Sequence, residues 1–275
     1  MGDPVSVPTD VAAAVKARWP DIGQRWCSAV ADEFADISAR YGASPIAVLP
    51  ARYGLVVAVE VGRDTLVMRS SPDPDGMIQS QVSIALGALG TAPQIYEVQA
   101  TDTGTWTVMD RITPGTRLSD VLDSRAAVTP LADIFRRIAG KPAPTPDMPR
   151  LADWLRSRLE AGDHLIDRAP GRSPAPSARR AKALEVLNDL EATCTNGLCH
   201  GDASAQNVLT RGTAELVLID PRGVAGEVAY DGAVAILKTV PPADRPAAVQ
   251  TFAALVGLDA GRVAAWLDVA DAARV

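Results

Sequence analysis

The stretch that decides the fold, residues 199–220, reads CHGDASAQNVLTRGTAELVLID. It places Asp202 and Asn207 in a polar loop, and it ends with Asp220 directly after the apolar run 216–219. A loop at the end of a strand holds its polar side chains where functional groups are commonly found. An aspartate is also a poor choice at the end of an apolar strand unless its carboxylate has a task. The pattern therefore indicates a site built from three oxygen-bearing side chains.

The spacing of these side chains is typical of phosphoryl transfer. In kinases, the catalytic loop reads His-x-Asp, four further residues and then Asn, and a metal-binding Asp follows it. Asp202 would orient a substrate hydroxyl, while Asn207 and Asp220 would bind Mg²⁺ and His200 would support the loop through backbone hydrogen bonds. A hairpin with solvated polar residues is the alternative. The position of Asp220 at a strand end favours the functional interpretation.

The cysteines of the chain offer a competing interpretation of the same stretch. Cys194, Cys199 and His200 superficially resemble a zinc cluster, but the second histidine is His164 and the third cysteine is the distant Cys27. This set predicts local packing rather than a zinc site. An odd number of widely spaced cysteines also makes a poor disulfide framework, so a reducing cytoplasm is expected.

Length and charge narrow the class of protein. The chain has 275 residues, 47% of them hydrophobic, and a net charge of −6. This length predicts one large bilobed domain or two smaller ones. The sequence leaves a monomer and a homodimer open. The negative charge argues against nonspecific nucleic-acid binding and slightly favours a cationic small substrate. No secretory signal or membrane span is predicted from the sequence.

The pattern of helices and strands divides the chain near residue 111. Before it we predict helices at 10–19 and 22–41 with Gly42 as C-cap, strands at 46–49, 55–61 and 65–69, a helix at 77–89, and strands at 94–100 and 105–109. After a connector at 110–115 we predict helices at 118–123, 128–139, 151–162, 178–192, 231–238, 245–256 and 260–273. This order predicts an α+β, protein-kinase-like bilobed fold. Residues 1–111 form a helical extension and a β-rich small lobe, and residues 112–275 form a mainly helical large lobe.

The residues after the loop extend the motif. Residues 219–223 read IDPRG and residues 226–231 read GEVAYD. With these residues the chain resembles the aminoglycoside phosphotransferase family, in particular its streptomycin 6-phosphotransferase and hydroxyurea phosphotransferase branch. The resemblance extends to residues 18–26, which look like a helical extension, and to residues 109–115, which look like a hinge.

The resemblance implies an ATP- and Mg²⁺-dependent kinase acting on a hydroxyl of a small molecule, with a streptomycin-type aminoglycoside as the first expectation. It implies Asp202 as catalytic base and Asn207 and Asp220 as metal ligands. Nucleotide contacts are expected from Gly54, Arg69, Met109, Asp110, Arg111 and Ile112. Glu227 and Asp231 are candidates for a cationic substrate, although a helix N-cap is the preferred role for Asp231.

Two departures from the family pattern lie in the small lobe. The strand that should carry a lysine ends in Arg69, and no lysine occurs between Lys16 and Lys141. The helix 77–89 also contains no glutamate to orient such a lysine. Arginine does not replace a compact ammonium freely. These departures motivate one alternative, a pseudokinase that binds without productive nucleotide handling. A kinase for a host metabolite is a further alternative, which shares the chemistry and which only a substrate screen separates.

Overall fold

The computed structural model describes residues 5–121, 126–161, 173–213 and 215–275. The predicted helix ends at Asp123 and Gly162, and the residue His164, lie outside these ranges. The chain forms two compact units: Met1–Ser80 with Pro93–Arg111, and Gln81–Ala92 with Ile112–Val275. The boundary after Arg111 coincides with the predicted one, whereas Gln81–Ala92 groups with the second unit.

The first unit combines two helices with an antiparallel sheet. Its elements are α1 (Thr9–Arg18), α2 (Pro20–Tyr41), β1 (Ser44–Val48), β2 (Leu55–Val61), β3 (Asp64–Ser71), the start of α3 (Gly76–Ala88), β4 (Ile95–Ala100) and β5 (Thr105–Asp110). The strands are ordered β1-β2-β3-β5-β4. Helix α2 ends at Gly42, whose φ of 58° lies in the left-handed region, so the predicted C-cap is confirmed.

Helix α2 packs its apolar face on the sheet. Trp26, Val30, Phe34 and Ile37 recur at helical spacing and are at most 5% exposed. They belong to one core cluster with apolar side chains of β2, β3 and β5. The indole nitrogen of Trp26 also donates to Ser70 Oγ at 2.9 Å, so this buried polar atom is satisfied.

The second unit is mainly helical and contains two small sheets. Its helices are the rest of α3, α4 (Leu118–Val121), α5 (Val128–Ile138), α6 (Leu151–Ala161), α7 (Ser177–Glu191), α8 (Val228–Thr239), α9 (Arg245–Val256) and α10 (Ala260–Ala272). Its strands are β6 (Pro114–Arg117), β7 (Gly197–Leu198), β8 (Val208–Arg211), β9 (Glu215–Leu218) and β10 (Ala225–Gly226). The sheets are β6-β8-β9 and β10-β7.

Strand β6 lies where the sequence predicts a connector. Its proline and glycine are usual signs of a break, yet Pro114 pairs with Arg211 at the edge of the sheet. Proline is tolerated on an edge strand because no neighbour needs its missing N–H group. The connector in the structure is therefore shorter than the predicted range 110–115.

The segment that directly follows α3 makes hydrogen bonds within the second unit. The N–H of Leu218 donates to the carbonyl of Thr91 at 2.7 Å, and the Arg137 guanidinium donates to the carbonyl of Leu89. Such partners are not visible in a periodicity pattern, and the division into lobes at residue 111 stays a prediction. Of the residues described, no helix combines the length and apolar character that crossing a membrane requires.

Candidate active site

The predicted catalytic loop connects β7 to β8, and hydrogen bonds hold it to the end of β9. The side-chain nitrogen of Asn207 donates to the backbone carbonyl of Asp202 at 2.9 Å. The carbonyl of Asn207 accepts the N–H of Ile219 at 2.9 Å. These two bonds join Asp202, Asn207 and Ile219, and Asp220 directly follows Ile219 in the chain.

Asp220 has an unusual backbone conformation. Its φ is 60°, in the left-handed region that residues other than glycine rarely adopt, and its side chain is exposed. Strained residues of this kind concentrate at functional sites, where the surrounding structure holds them in place. Here the main-chain bond from Ile219 to Asn207 helps to hold the turn.

His200 supports the loop as predicted from the sequence. It is fully buried, and its Nδ1 accepts the N–H of Asp202 at 3.3 Å. The ring proton then lies on Nε2, which is 2.9 Å from the carbonyl of Ile219 and donates to it. The imidazole thereby joins the start of the loop to the residue before Asp220.

Asp231 holds the same loop from the opposite side. Its two carboxylate oxygens accept the N–H groups of His200 at 2.9 Å and Gly201 at 2.8 Å, and Cys199 Sγ lies 3.4 Å away. Burial raises the pKa of the Asp231 carboxyl, although the neighbouring His200 and these hydrogen bonds act in the opposite direction. The contact with Cys199 also gives that thiol a packing role, as expected.

Two predictions for Asp231 need correction. The N-cap of α8 is Glu227, and Asp231 lies one turn inside the helix. Its side chain is 0% exposed, and both oxygens are used by the loop backbone. It therefore presents no accessible carboxylate to a cationic substrate.

Glu227, the other substrate candidate, is engaged by α10. Its Oε1 accepts from Arg262 Nε at 2.7 Å and also from the indole nitrogen of Trp266. The Glu227 side chain is 15% exposed. These contacts join the start of α8 to α10, so the structure gives Glu227 a stabilising role and does not support it as a substrate ligand.

The carboxylate of Asp202 lies between two cations that the sequence analysis did not identify. Lys238 Nζ is 2.6 Å from Oδ1, and an Arg222 guanidinium nitrogen is 3.3 Å from Oδ2. Burial alone raises the pKa of Asp202, but Lys238 and Arg222 outweigh it and hold that pKa below its usual range. Asp202 is therefore ionised at neutral pH and remains a hydrogen-bond acceptor.

Arg222 was predictable in part, because it follows Asp220 by two residues in the IDPRG motif. Lys238 carries no such signal, since it lies 36 residues from Asp202 in the sequence and reaches it only through the path of α8. A lysine in the last turn of a helix is common for electrostatic reasons alone.

Gly201 permits the close approach of Arg222 to the loop. Its φ is 79°, and a Cβ atom at this position would lie 2.8 Å from Arg222 Cβ and 2.9 Å from a methyl group of Val224. Both the backbone conformation and the lack of space therefore require glycine.

The residues of the first unit that are predicted to contact the nucleotide lie on β3 and β5 or directly beside β2 and β5. Arg69 is half-buried within β3, opposite Thr107 of β5, and the strand continues to Ser71 rather than ending at Arg69. A Cβ atom on Gly54 would overlap the carbonyl oxygen of Ser70, so packing alone accounts for that glycine. A phosphate-binding role for Gly54 and Arg69 stays a prediction.

The predicted hinge residues begin at the end of β5. Met109 and Asp110 are its last residues, and Asp110 accepts from the Tyr96 hydroxyl at 2.5 Å. Arg111 is the last residue of the first unit, and Ile112 is the first residue of the segment that continues the second. A nucleotide contact from these residues also stays a prediction.

The donor set on the loop suits a magnesium ion. Because Asn207 uses its amide nitrogen on Asp202, its amide oxygen is the atom left for another partner. Asp220 adds an exposed carboxylate. Mg²⁺ prefers such oxygen ligands and usually keeps several waters, so two protein ligands are sufficient.

Solved structures of antibiotic kinases and of a choline kinase share this fold. The aminoglycoside-3'-phosphotransferase of type VIII is 19% identical, with a TM-score of 0.57, over 86% of this chain and 97% of that one. The aminoglycoside phosphotransferase APH(3'')-Id from Streptomyces rimosus, in complex with ADP and streptomycin, is 16% identical, with a TM-score of 0.59, over 90% and 99%. The choline kinase LicA from Streptococcus pneumoniae is 14% identical, with a TM-score of 0.63, over 88% and 87%.

At these identities the structural similarity shows the fold alone, which is the predicted α+β, protein-kinase-like one. No curated protein matches the chain in sequence. The sequence pattern of one family, described as aminoglycoside/hydroxyurea antibiotic resistance kinase, matches residues 92–270, which is more than half of the chain and includes the whole loop from Cys199 to Asp231. The chain therefore belongs to the family of aminoglycoside and hydroxyurea antibiotic resistance kinases.

Proposed function

We propose that this protein is an ATP- and Mg²⁺-dependent O-phosphotransferase that phosphorylates a hydroxyl of a small molecule, with a streptomycin-type aminoglycoside as the substrate to test first. The observation that carries the proposal is the pair of hydrogen bonds that joins Asn207 to Asp202 and to Ile219, the residue directly before Asp220. Membership in a family of antibiotic resistance kinases supports the reaction class. The streptomycin and ADP named for the Streptomyces rimosus structure motivate the first substrate and the nucleotide.

In the proposed reaction Asp202 accepts a hydrogen bond from the substrate hydroxyl and aims its oxygen at the γ-phosphorus of ATP. A bond forms between that oxygen and the phosphorus. The bond from phosphorus to the β–γ bridging oxygen breaks, and its electron pair leaves on ADP. The hydroxyl proton passes to Asp202 and then to solvent.

Asn207 and Asp220 would hold Mg²⁺ through one amide and one carboxylate oxygen. When bound, the ion supplies positive charge for the phosphate oxygens. The lowered pKa of Asp202 makes it a weak base. This suits a loose transition state, in which orienting the hydroxyl matters more than early removal of its proton.

The test is ATP consumption with a panel of aminoglycosides, neutral hydroxylated compounds and choline-like alcohols. Wild type is compared with Asp202→Ala and with Asp268→Ala, which removes an exposed carboxylate on α10. We expect turnover of at least one panel member by wild type and Asp268→Ala, and a loss of about 10³-fold or more in kcat for Asp202→Ala.

Two results would contradict the proposal. One is the absence of turnover by wild type over the whole panel. The other is turnover that Asp202→Ala leaves unchanged. Turnover of only neutral compounds or choline-like alcohols would keep the reaction and replace the proposed substrate.

A further inference from the structure

Lys238 contacts the carboxylate of Asp202, although the proposed mechanism has so far given this lysine no role. Its ammonium lies 2.6 Å from Asp202 Oδ1, and its side chain is 29% exposed. An ammonium has three protons to donate, and the carboxylate takes one of them. The group therefore keeps hydrogen-bonding capacity for a further oxygen beside the proposed base.

Arg222, the second cation, is held far more rigidly. Its backbone N–H donates to the carbonyl of His200 at 2.8 Å, and its guanidinium lies 4.7 Å from the ring centroid of Trp154. Its contact with Asp202 Oδ2 is the longer one, at 3.3 Å. Stacking and the main-chain bond fix Arg222 as a steady counter-charge for Asp202, whereas Lys238 sits on a flexible four-carbon stem.

Helix α8 brings Lys238 to this place through its register. Asp231 and Lys238 are separated by about two helical turns, so they lie on the same face of α8. The first of these residues holds the backbone of the loop at His200 and Gly201, and the second reaches the side chain of Asp202. One face of one helix therefore positions both the loop and the ammonium.

We propose that Lys238 is a catalytic residue whose ammonium binds an oxygen of the phosphoryl group while that group passes to the hydroxyl held by Asp202. The inference rests on the proposed function. As the bond from phosphorus to the substrate oxygen forms and the bond to ADP breaks, the equatorial oxygens of the phosphoryl group carry negative charge. A cation beside the attacking oxygen stabilises that charge, and one donor of this kind contributes about 10²–10³-fold to kcat.

The two cations beside Asp202 suit the negative charge of the phosphoryl group, so cationic groups of an acceptor are expected to lie away from them. Lys238 and Arg222 both face Asp202, so a second cation on the substrate would meet two like charges there. Phosphoryl oxygens meet two opposite charges instead.

A structural role for Lys238 is the competing explanation. A lysine in the last turn of a helix stabilises the helix dipole, and its ion pair with Asp202 stabilises the fold. Both effects are seen in the free energy of unfolding, but loss of the ion pair also changes the pKa and the position of Asp202 and so lowers kcat by itself. Only binding of the phosphoryl group predicts a loss of affinity for a phosphoryl mimic. The test therefore needs kinetic and binding readouts beside stability.

The kinetic test compares wild type with Lys238→Met, Lys238→Arg and the control Lys182→Met, which removes an exposed lysine from α7. With the acceptor that wild type turns over, Lys238→Met is expected to lower kcat by about 10²-fold or more while the KM for the acceptor changes by less than about threefold. Lys238→Arg should recover much of the loss, and Lys182→Met should match wild type.

The binding test uses thermal unfolding with Mg-ADP alone and with Mg-ADP plus aluminium fluoride, which mimics the phosphoryl group in transfer. Lys238→Met is expected to keep the stabilisation by Mg-ADP and to lose the additional stabilisation by aluminium fluoride. Lys238→Arg should keep both. Should Lys238→Met not fold, Lys238→Gln removes the charge while keeping a polar group, and the same loss is expected of it.

Three results would overturn the inference while leaving the proposed function standing: an unchanged kcat in Lys238→Met, a retained fluoride effect in that variant, or equal losses in Lys238→Met and Lys238→Arg. A wild type that neither consumes ATP nor responds to Mg-ADP would overturn the proposed function, and the inference with it.

Discussion

The carboxylate of Asp231 carries out a task that its place in the sequence does not reveal. Removing a carboxylate from water is costly, and the raised pKa of Asp231 shows that burial outweighs its favourable contacts. The side chain is nevertheless retained at 0% exposure because it satisfies two backbone N–H groups of the loop. Those donors are themselves buried, so they need an acceptor.

We expect Asp231→Asn to lower the free energy of unfolding by about 1–3 kcal/mol. The amide has one oxygen, so it can serve one of the N–H groups of His200 and Gly201 well and presents its own NH₂ group to the other. Urea unfolding measures the loss. Asp268→Asn, on the exposed face of α10, is the control and should stay within about 0.5 kcal/mol of wild type. Equal stability of Asp231→Asn and wild type would show that the loop does not depend on the second acceptor.

The residues of the site differ in how far the sequence could predict them. The spacing of Asp202, Asn207 and Asp220 in the sequence is itself the signal, and in the structure hydrogen bonds link Asn207 to Asp202 and to Ile219, the residue before Asp220. The acidic side chains of Glu227 and Asp231 make them candidates for a cationic substrate, with an N-cap as the preferred role of Asp231, but their burial and their partners are properties of the folded chain. Lys238 depends on the register of a helix far away in sequence, which no local pattern describes.

At the level of elements, the end of α2 is tied to the edge strand β4. Arg40 contacts Glu97 at 2.9 Å and Gln99 at 2.6 Å, and the Tyr41 hydroxyl donates to Glu97 Oε2 at 2.6 Å. Burial, followed by the hydrogen bond to Glu97 and the charge of that residue, raises the pKa of Tyr41 to about 12.

The hydrogen bond from Tyr41 to Glu97 predicts that the free energy of unfolding falls at alkaline pH. The pKa of Tyr41 is higher in the folded state than its ordinary value of 10.0, so its stabilising contribution is complete below pH 10 and is lost as pH rises through about 12. At pH 8 we expect Tyr41→Phe to be less stable than wild type by about 1 kcal/mol, the usual net value of one hydrogen bond. The difference should shrink between pH 10 and pH 12.

Denaturant unfolding of wild type and Tyr41→Phe at several pH values measures this effect. Tyr53→Phe is the matched control, because its ring packs against Trp19 and not against Glu97. A difference between wild type and Tyr41→Phe that stays constant up to pH 12 would contradict the proposed role of the hydroxyl.

Elements with a strong apolar periodicity could be predicted from the sequence. Elements that are defined by contacts with residues far along the chain could not. The apolar spacing of Trp26, Val30, Phe34 and Ile37 predicts α2 within two residues at its start and correctly at its end. Strand β6 was missed because its identity comes from pairing with β8, and Pro114 reads locally as a break. The partners of the segment after α3 could not be predicted for the same reason, since they lie far along the chain.

At the level of the whole molecule, net charge says little about the site. The chain carries a net charge of −6, yet the carboxylate of Asp202 is flanked by two cations. The overall charge slightly favoured a cationic substrate, whereas the local charge favours a phosphoryl group. The electrostatic potential at Asp202 depends more on the few charged groups close to it than on the net charge of the chain, because salt screens charges beyond about 8–10 Å.

Nucleotide binding should therefore be visible as stabilisation of the whole chain, and it should depend on magnesium. At 100 times its dissociation constant, a ligand that binds only the folded state stabilises it by about 2.7 kcal/mol. We expect Mg-ATP to produce an effect of this size in wild type. Asp220→Ala should lose the part that depends on magnesium, because it removes a charged oxygen from the proposed metal site.

Thermal unfolding with ATP plus Mg²⁺ and with ATP plus EDTA separates the two contributions for each variant. Glu215→Ala is the matched control, because Glu215 is an exposed carboxylate at the other end of β9 and pairs with Arg211 at 2.7 Å. If wild type shows no shift with Mg-ATP, the chain is a pseudokinase in which Arg69 does not replace the missing lysine. If Asp220→Ala responds to magnesium as wild type does, the metal site lies elsewhere. A shift that needs both magnesium and Asp220 would show that the chain binds Mg-ATP although β3 carries Arg69 in place of a lysine. The identity of the phosphoryl acceptor would then be the question that remains.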